Sequence, residues 1–124
     1  PLKDAAELAR YYALVGGHPY LVRRGLDEMT LHGTPIAVVE ERAASETWIF
    51  GDHLYRMLDR VTRDPELSEV VRDLLAGRTR VPPRCFYRLR SAGVLAGDTE
   101  DDARLRCRLY AAYFERHLRP VPGG

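Results

Sequence analysis

Glycine stops and proline starts cut this chain into helix-length segments, and few folds accommodate that punctuation. Gly16-Gly17 precedes Pro19, Gly33 precedes Pro35, Asp64 precedes Pro65, and Gly93 closes a segment opened by Pro82-Pro83. A proline ring presets φ for a first helical turn, where its missing N–H is not needed. Glycine takes the left-handed conformation that ends a helix. Between these marks the apolar residues recur at spacings of three and four, the period of a half-buried helix.

The spacing predicts a helix over Asp4 to Val15 with Ala5, Leu8, Tyr12 and Val15 buried, and Asp4 and Glu7 at its positive end. A second helix starts at Pro19 with Val22, Leu26 and Met29 inward, and His32-Gly33 breaks it. A shorter third follows Pro35, burying Ile36, Val39 and Ala43. The fourth runs from Thr47 to Thr62 with Phe50, Leu54, Met57 and Val61 on one face. The fifth carries Leu67, Val70, Val71, Leu74 and Leu75 and ends at Gly77.

Thr79 to Val81 is short and β-compatible. A sixth helix spans Pro83 to Ala92, with Phe86 and Leu89 inward and Gly93 as its cap. Val94-Leu95-Ala96 reads as a strand, Asp98 to Asp102 as an acidic loop, and Arg104 to Arg108 as a half-buried strand presenting Leu105 and Cys107. A last helix covers Leu109 to Leu118. The expected fold is mainly α: a small helical subdomain over residues 1–46, then a winged helix with one short β-hairpin over 47–120, and a disordered tail at 121–124.

Charge and chemistry narrow the function classes. Nineteen basic residues face eighteen acidic ones, for a net charge of +1, so no global field favours nucleic acid or anionic lipid. Lys3 is the only lysine. Cys85 and Cys107 lack partner spacing and fit buried thiols of a reduced, cytoplasmic protein. No stretch approaches the ~18 apolar residues of a membrane span. No phosphate-loop pattern GxxxxGK[ST] occurs, so the chain is no self-sufficient P-loop ATPase. His18, His32, His53 and His117 lack metal spacing with one another or with the cysteines, and no metal site is expected. Asp98, Glu100 and Asp102 alternate like the start of a calcium loop without its glycine or its closing glutamate. There is no nucleophile elbow, and two isolated thiols give no cysteine catalysis. The chain opens on proline rather than methionine, which reads as a fragment of something longer.

Gly16-Gly17-His18-Pro19-Tyr20-Leu21-Val22-Arg23 carries the most information. It is a helix stop, a sharp bend and a proline-led helix. The flat apolar ring and the free N–H groups of the first turn can lie against a purine. Arg23, four residues on, shares the face of Pro19 and is placed to reach phosphate oxygens.

This string resembles the glycine-x-proline element in the helical lid of STAND-type AAA+ ATPases, and it is similar to the lid of the bacterial AAA-like domain family. Asp52-His53-Leu54, Pro65-Glu66-Leu67, Ala92-Gly93-Val94-Leu95 and Leu109-Tyr110…Tyr113-Phe114 follow in the family's order. The resemblance covers about Leu8 to Leu118 and implies a lid plus winged-helix half without its nucleotide-binding core. It implies that Pro19 packs near adenine, with Gly17 and His18 shaping the bend. It implies no catalysis by this chain alone, and no cofactor bound without an upstream P-loop domain of the same protein; ATP or ADP is expected with that core. The apolar lid face is expected to dock there, and a homo-oligomer is left open.

A different class competes. Arg78, Arg80, Arg84, Arg88 and Arg90 surround the sixth helix with no acid among them, and Arg104, Arg106 and Arg108 alternate beyond it. Arg84, Arg88 and Arg90 would be the DNA contacts of a winged-helix regulator. Asp98, Glu100, Asp101 and Asp102 would meet the DNA backbone with like charge, so nucleic acid is the less favoured partner. A protein-interaction adaptor is the third alternative. His53 reads as a structural histidine and Trp48 as a joint between the two parts. Tyr11, Tyr12, Tyr55, Tyr110, Tyr113 and Phe114 read as core or interface.

Overall fold

The computed structural model describes residues 2–78 and 80–118. Thr79, part of the β-compatible stretch, and the tail at 121–124 lie outside them. The elements in order are α1 (Ala5–Val15), α2 (Pro19–His32), α3 (Ile36–Arg42), α4 (Gly51–Thr62), α5 (Pro65–Leu75), α6 (Pro83–Ser91), β1 (Leu95–Ala96), a 3-10 turn (Glu100–Asp102), β2 (Arg104–Leu105) and α7 (Arg108–Leu118). Local chemistry sets the ends. Asp4 accepts from the Glu7 N–H at the start of α1, and Asp64 accepts from the Glu66 N–H at the start of α5. Gly16 and Gly33 close α1 and α2 in the left-handed region.

One hydrophobic cluster runs through the chain, joining Tyr11, Val15, Leu21 and Met29 of the first helices to Phe50, Leu54, Phe86 and Phe114 of the later ones. Helix α7 is the hub, packing on α1, α4, α5 and β2. Helices α2 and α3 hold to α1, and α6 lies between α5 and the hairpin. No described helix is long and apolar enough to cross a membrane.

Several expected details are overturned. In α1 the buried residues are Tyr11, Leu14 and Val15, while Leu8 and Tyr12 are 56% and 62% exposed. In α2 they are Leu21, Gly25 and Met29; Val22 is half-buried and Leu26 exposed. Both helices carry apolar residues on two adjacent arcs, so period alone could not say which arc faces the core. Tyr55 is also exposed. Helix α4 begins at Gly51 rather than Thr47, because residues 46–50 make a tight turn first. A Cβ at Gly51 would stand 2.0 Å from the Glu46 carbonyl oxygen. Half-buried Trp48 sits in that turn, edge-on to Phe50.

The hairpin is shorter than expected. Leu95 pairs with Leu105 and Ala96 with Arg104, antiparallel. The Arg106 N–H donates to Val94 O, and the chain then enters α7. Arg80 and Val81 form no strand, so among the described residues the sheet has two strands. The acidic loop is ordered by its own chemistry: Thr99 and Asp102 form a reciprocal capping box.

Candidate functional site

The bend between α1 and α2 is built from two consecutive left-handed glycines, Gly16 at φ 62° and Gly17 at φ 70°. Only glycine takes two such steps in succession without strain. The turn is clamped from outside. A Cβ on Gly16 would stand 2.7 Å from the Arg106 carbonyl oxygen and 2.8 Å from Cys107 Cβ. The ring of Tyr12 covers Gly17. His18 is the N-cap residue of α2 with no side-chain capping bond, and Pro19 takes the first helical position with its ring exposed.

The bend carries His18 into an aromatic cluster. The His18 and His53 rings lie 5.0 Å apart, edge to face. Tyr20 stacks on His53 at 5.2 Å, and His53 stacks in turn on Tyr110. His53 Nε2 and the Tyr110 hydroxyl share a hydrogen bond of 2.6 Å, tying α4 to α7. Burial pushes His53 down to about 4, helped by His18, Arg56 and Arg60. His18 is lowered as well, by burial first and then by Arg106. Burial raises the Tyr110 phenol. The expected structural role of His53 is thus a bridge between helices.

A cavity of about 300 Å³ opens here, bounded by His18, His53, Arg56, Arg60 and Tyr110 over Met57. Among the described residues no carboxylate lines it. Of the four residues singled out for nucleotide contact, His18 lines this cavity and Gly17 and Pro19 flank it in sequence. Arg23 is exposed on α2 and does not line it. Arg56 and Arg60 were missed. Asp52 stands at the helical spacing that pairs it with Arg56 in sequence, yet no such ion pair forms. Asp59 turns to Arg63 at 2.9 Å instead.

The arginines of the DNA alternative are differently placed. Glu66 holds Arg84, and Asp64 holds Arg88 at 2.7 Å. Arg78 pairs with Asp73 at 2.8 Å. Arg88 holds the Asp64 carboxyl, and Arg84 the Glu66 carboxyl, below the usual range. Arg84 and Arg88 are therefore answered from the start of α5, across the α5–α6 contact. Arg90 stands 6.0 Å from the Phe86 ring centre. Cys85 and Cys107 are both free and buried, as expected; burial pushes the Cys107 thiol up to about 11. Among the described residues no cluster of His, Cys, Asp or Glu could hold a metal ion.

The imidazole bridge has a measurable consequence. Unfolded His53 would bind its proton near pH 6.5, and folded His53 near 4. The unfolded state therefore takes up more protons between these values. The contribution is complete above pH 6.5 and is lost as pH falls toward 4. The ring is only partly buried, which discounts the effect, so we expect a Tm loss of about 5 °C attributable to His53 over that window. Thermal melts of wild type and His53→Gln at pH 7 and pH 4.5 should differ in slope by that amount; parallel slopes would refute it.

A family model described as an AAA-like domain matches residues 2–116. No curated protein and no solved structure matches the chain. The family match runs from the segment ahead of α1 into α7, taking in the double-glycine bend, the imidazole–phenol cluster and the hairpin: the chain belongs to the AAA-like domain family.

Proposed function

We propose that the chain is the lid and winged-helix half of a STAND-like AAA+ ATPase, acting in the cytoplasm. It would be non-catalytic by itself and would couple the nucleotide state of a P-loop core outside this sequence to conformational signalling. Residues 1–46 would form the lid, and residues 47–120 the winged helix. The order α4, α5, α6, hairpin, α7 supports the second assignment. The observation that carries the reading is the bend itself. Two left-handed glycines present Pro19 in the open at the start of α2, with the His18–His53–Tyr110 cluster directly behind it. A rigid exposed ring at a positive helix end can form one wall of a purine site. Exposed Leu8, Tyr12 and Tyr20 supply apolar surface for a core domain to cover.

Calorimetry on the isolated chain should give ATP and ADP affinities no better than about millimolar, because a single wall buries too little of a ligand. In a longer polypeptide carrying the P-loop core, Pro19→Ala should weaken the nucleotide-dependent rearrangement. Micromolar binding by the chain alone, or an unchanged response in the Pro19→Ala protein, would overturn the reading.

A further inference from the structure

We propose that the cavity between the bend, α4 and α7 is an oligophosphate pocket, and that Arg56 and Arg60 of α4 rather than Arg23 of α2 are its charge-reading residues. The proposal rests on the nucleotide reading above only for the source of the phosphates; the pocket itself stands on its own geometry.

Among the described residues the cavity wall is acid-free, and its α4 side is cationic. Arg56 and Arg60 are spaced four apart on α4, which puts two like charges on one helix face. Among the described residues neither makes an ion pair or a side-chain hydrogen bond, although six other such pairs form in the molecule. His53 precedes them on the same helix, and His18 comes in from the bend. Such an accumulation repels itself, and both imidazoles hold to the neutral form beside it. An anion in the cavity removes that repulsion and gains charge-assisted hydrogen bonds from both guanidiniums.

One of two unpartnered buried polar atoms strengthens the case. His18 Nδ1 and Arg106 Nε are both shielded and lack a hydrogen-bond partner. Arg106 is half-buried, makes no ion pair among the described residues, and acts electrostatically on His18 from the hairpin side. Buried polar groups are paired in the great majority of cases; His18 lines the cavity, so its orphaned nitrogen points to a ligand there, while Arg106 lines the neighbouring cleft beside the hairpin.

Size selects the ligand class. At about 300 Å³ the cavity is at the small end of ligand pockets and suits a phosphate chain rather than a whole nucleotide. Tyr20, stacked on His53, links the pocket to exposed Pro19 next to it. A nucleotide would then place its phosphates in the cavity and its base on the proline side. Because the wall comes from the bend, α4 and α7, an anion there clamps the lid to the helices behind it.

The test is an NMR titration of this chain with sodium pyrophosphate at pH 7 and low salt, controlled by sodium chloride at matched ionic strength. Ring resonances of His18, His53 and Tyr110 should shift saturably, with a Kd in the low millimolar range. Arg56→Gln/Arg60→Gln should weaken binding at least about tenfold, the scale set by losing two charge-assisted contacts, while Arg23→Gln changes it less than about twofold. No saturable shift at these rings, a response matched by chloride, shifts confined to α5 and α6, or equal weakening by Arg23→Gln would each overturn the proposal. Parallel titrations with ATP and with adenosine separate it from the purine reading. Pyrophosphate binding with no adenosine-specific shift at Pro19 or Tyr20 in either arm sustains the pocket and removes the base from the bend.

Discussion

Gly25→Ala should be among the most destabilising single-methyl changes in this protein, although alanine is the better helix former. Gly25 lies mid-helix in α2 and is buried. A Cβ there would stand 2.0 Å from the Tyr11 hydroxyl and 2.8 Å from the ring carbon that bears it. Tyr11 cannot swing away cheaply. It is 2% exposed, and its hydroxyl donates toward the Leu21 and Val22 carbonyls at 2.7 and 2.9 Å. Propensity would favour alanine by about 1 kcal/mol. Overpacking costs about 1–3 kcal/mol and the displaced buried hydroxyl a further 1–3. The net is a loss of about 2–4 kcal/mol, or roughly 10 °C in Tm for a chain of this size. Tyr11→Phe removes the atom in closest conflict, so the double variant should be more stable than Gly25→Ala by about 1 kcal/mol or more. Chemical denaturation of the four proteins closes the cycle. A Gly25→Ala protein as stable as wild type would show that α1 and α2 do not interlock this way.

Gly16→Ala should be nearly as damaging, and for two separable reasons. At φ 62° any side chain is strained, at about 1 kcal/mol. The added carbon would also press on the Arg106 carbonyl and Cys107 Cβ, and a backbone oxygen at the entry to α7 has nowhere to rotate. We expect a total of about 3 kcal/mol. Gly33→Ala is the matched control. Its φ is 63°, yet nothing lies within 4 Å of the new carbon, so only the conformational part applies. Equal losses at the two positions would mean that the bend is not braced against α7. If the bend is a working part, Gly16→Ala should also broaden the His18 and His53 ring signals, which Gly33→Ala leaves alone.

The helix inventory was legible because its signals are local. Proline starts at Pro19, Pro65 and Pro83, and glycine stops at Gly16, Gly33 and Gly93, act within one turn of the chain. The structure puts helix ends at or next to each of them. The stripes of α3, α4 and α6 were readable too, since each has a single apolar arc: Ile36 with Val39, Leu54 with Met57 and Val61, and Phe86 with Leu89. Helices α1 and α2 failed the same test because Tyr11 and Tyr12, or Leu21 and Val22, compete as neighbours. The choice between them is made by what packs opposite. The start of α4 was misplaced because Gly51 is wanted for its closeness to Glu46 O, a contact no spacing rule announces.

The candidate site divides along the same line. The Gly16 to Pro19 bend is written in adjacent residues whose φ preferences are intrinsic, so its shape could be read before any fold was known. Arg56, Arg60 and Tyr110 gain their meaning from His18, which arrives from another helix. Arg84 and Arg88 lose theirs to Glu66 and Asp64, which come from the first turn and the cap of α5.

The sequence by itself determined the helix ends marked by proline and glycine, the lack of a phosphate-loop motif, and the kink that exposes Pro19. Each of these depends on one residue's own torsions or functional group. Only the tertiary structure decided which arc of α1 and α2 is buried, which arginines are neutralised, and that two imidazoles share an acid-free cavity. Those outcomes depend on Coulomb and packing energies between groups tens of residues apart, and such energies have no value until the chain has brought the groups into contact.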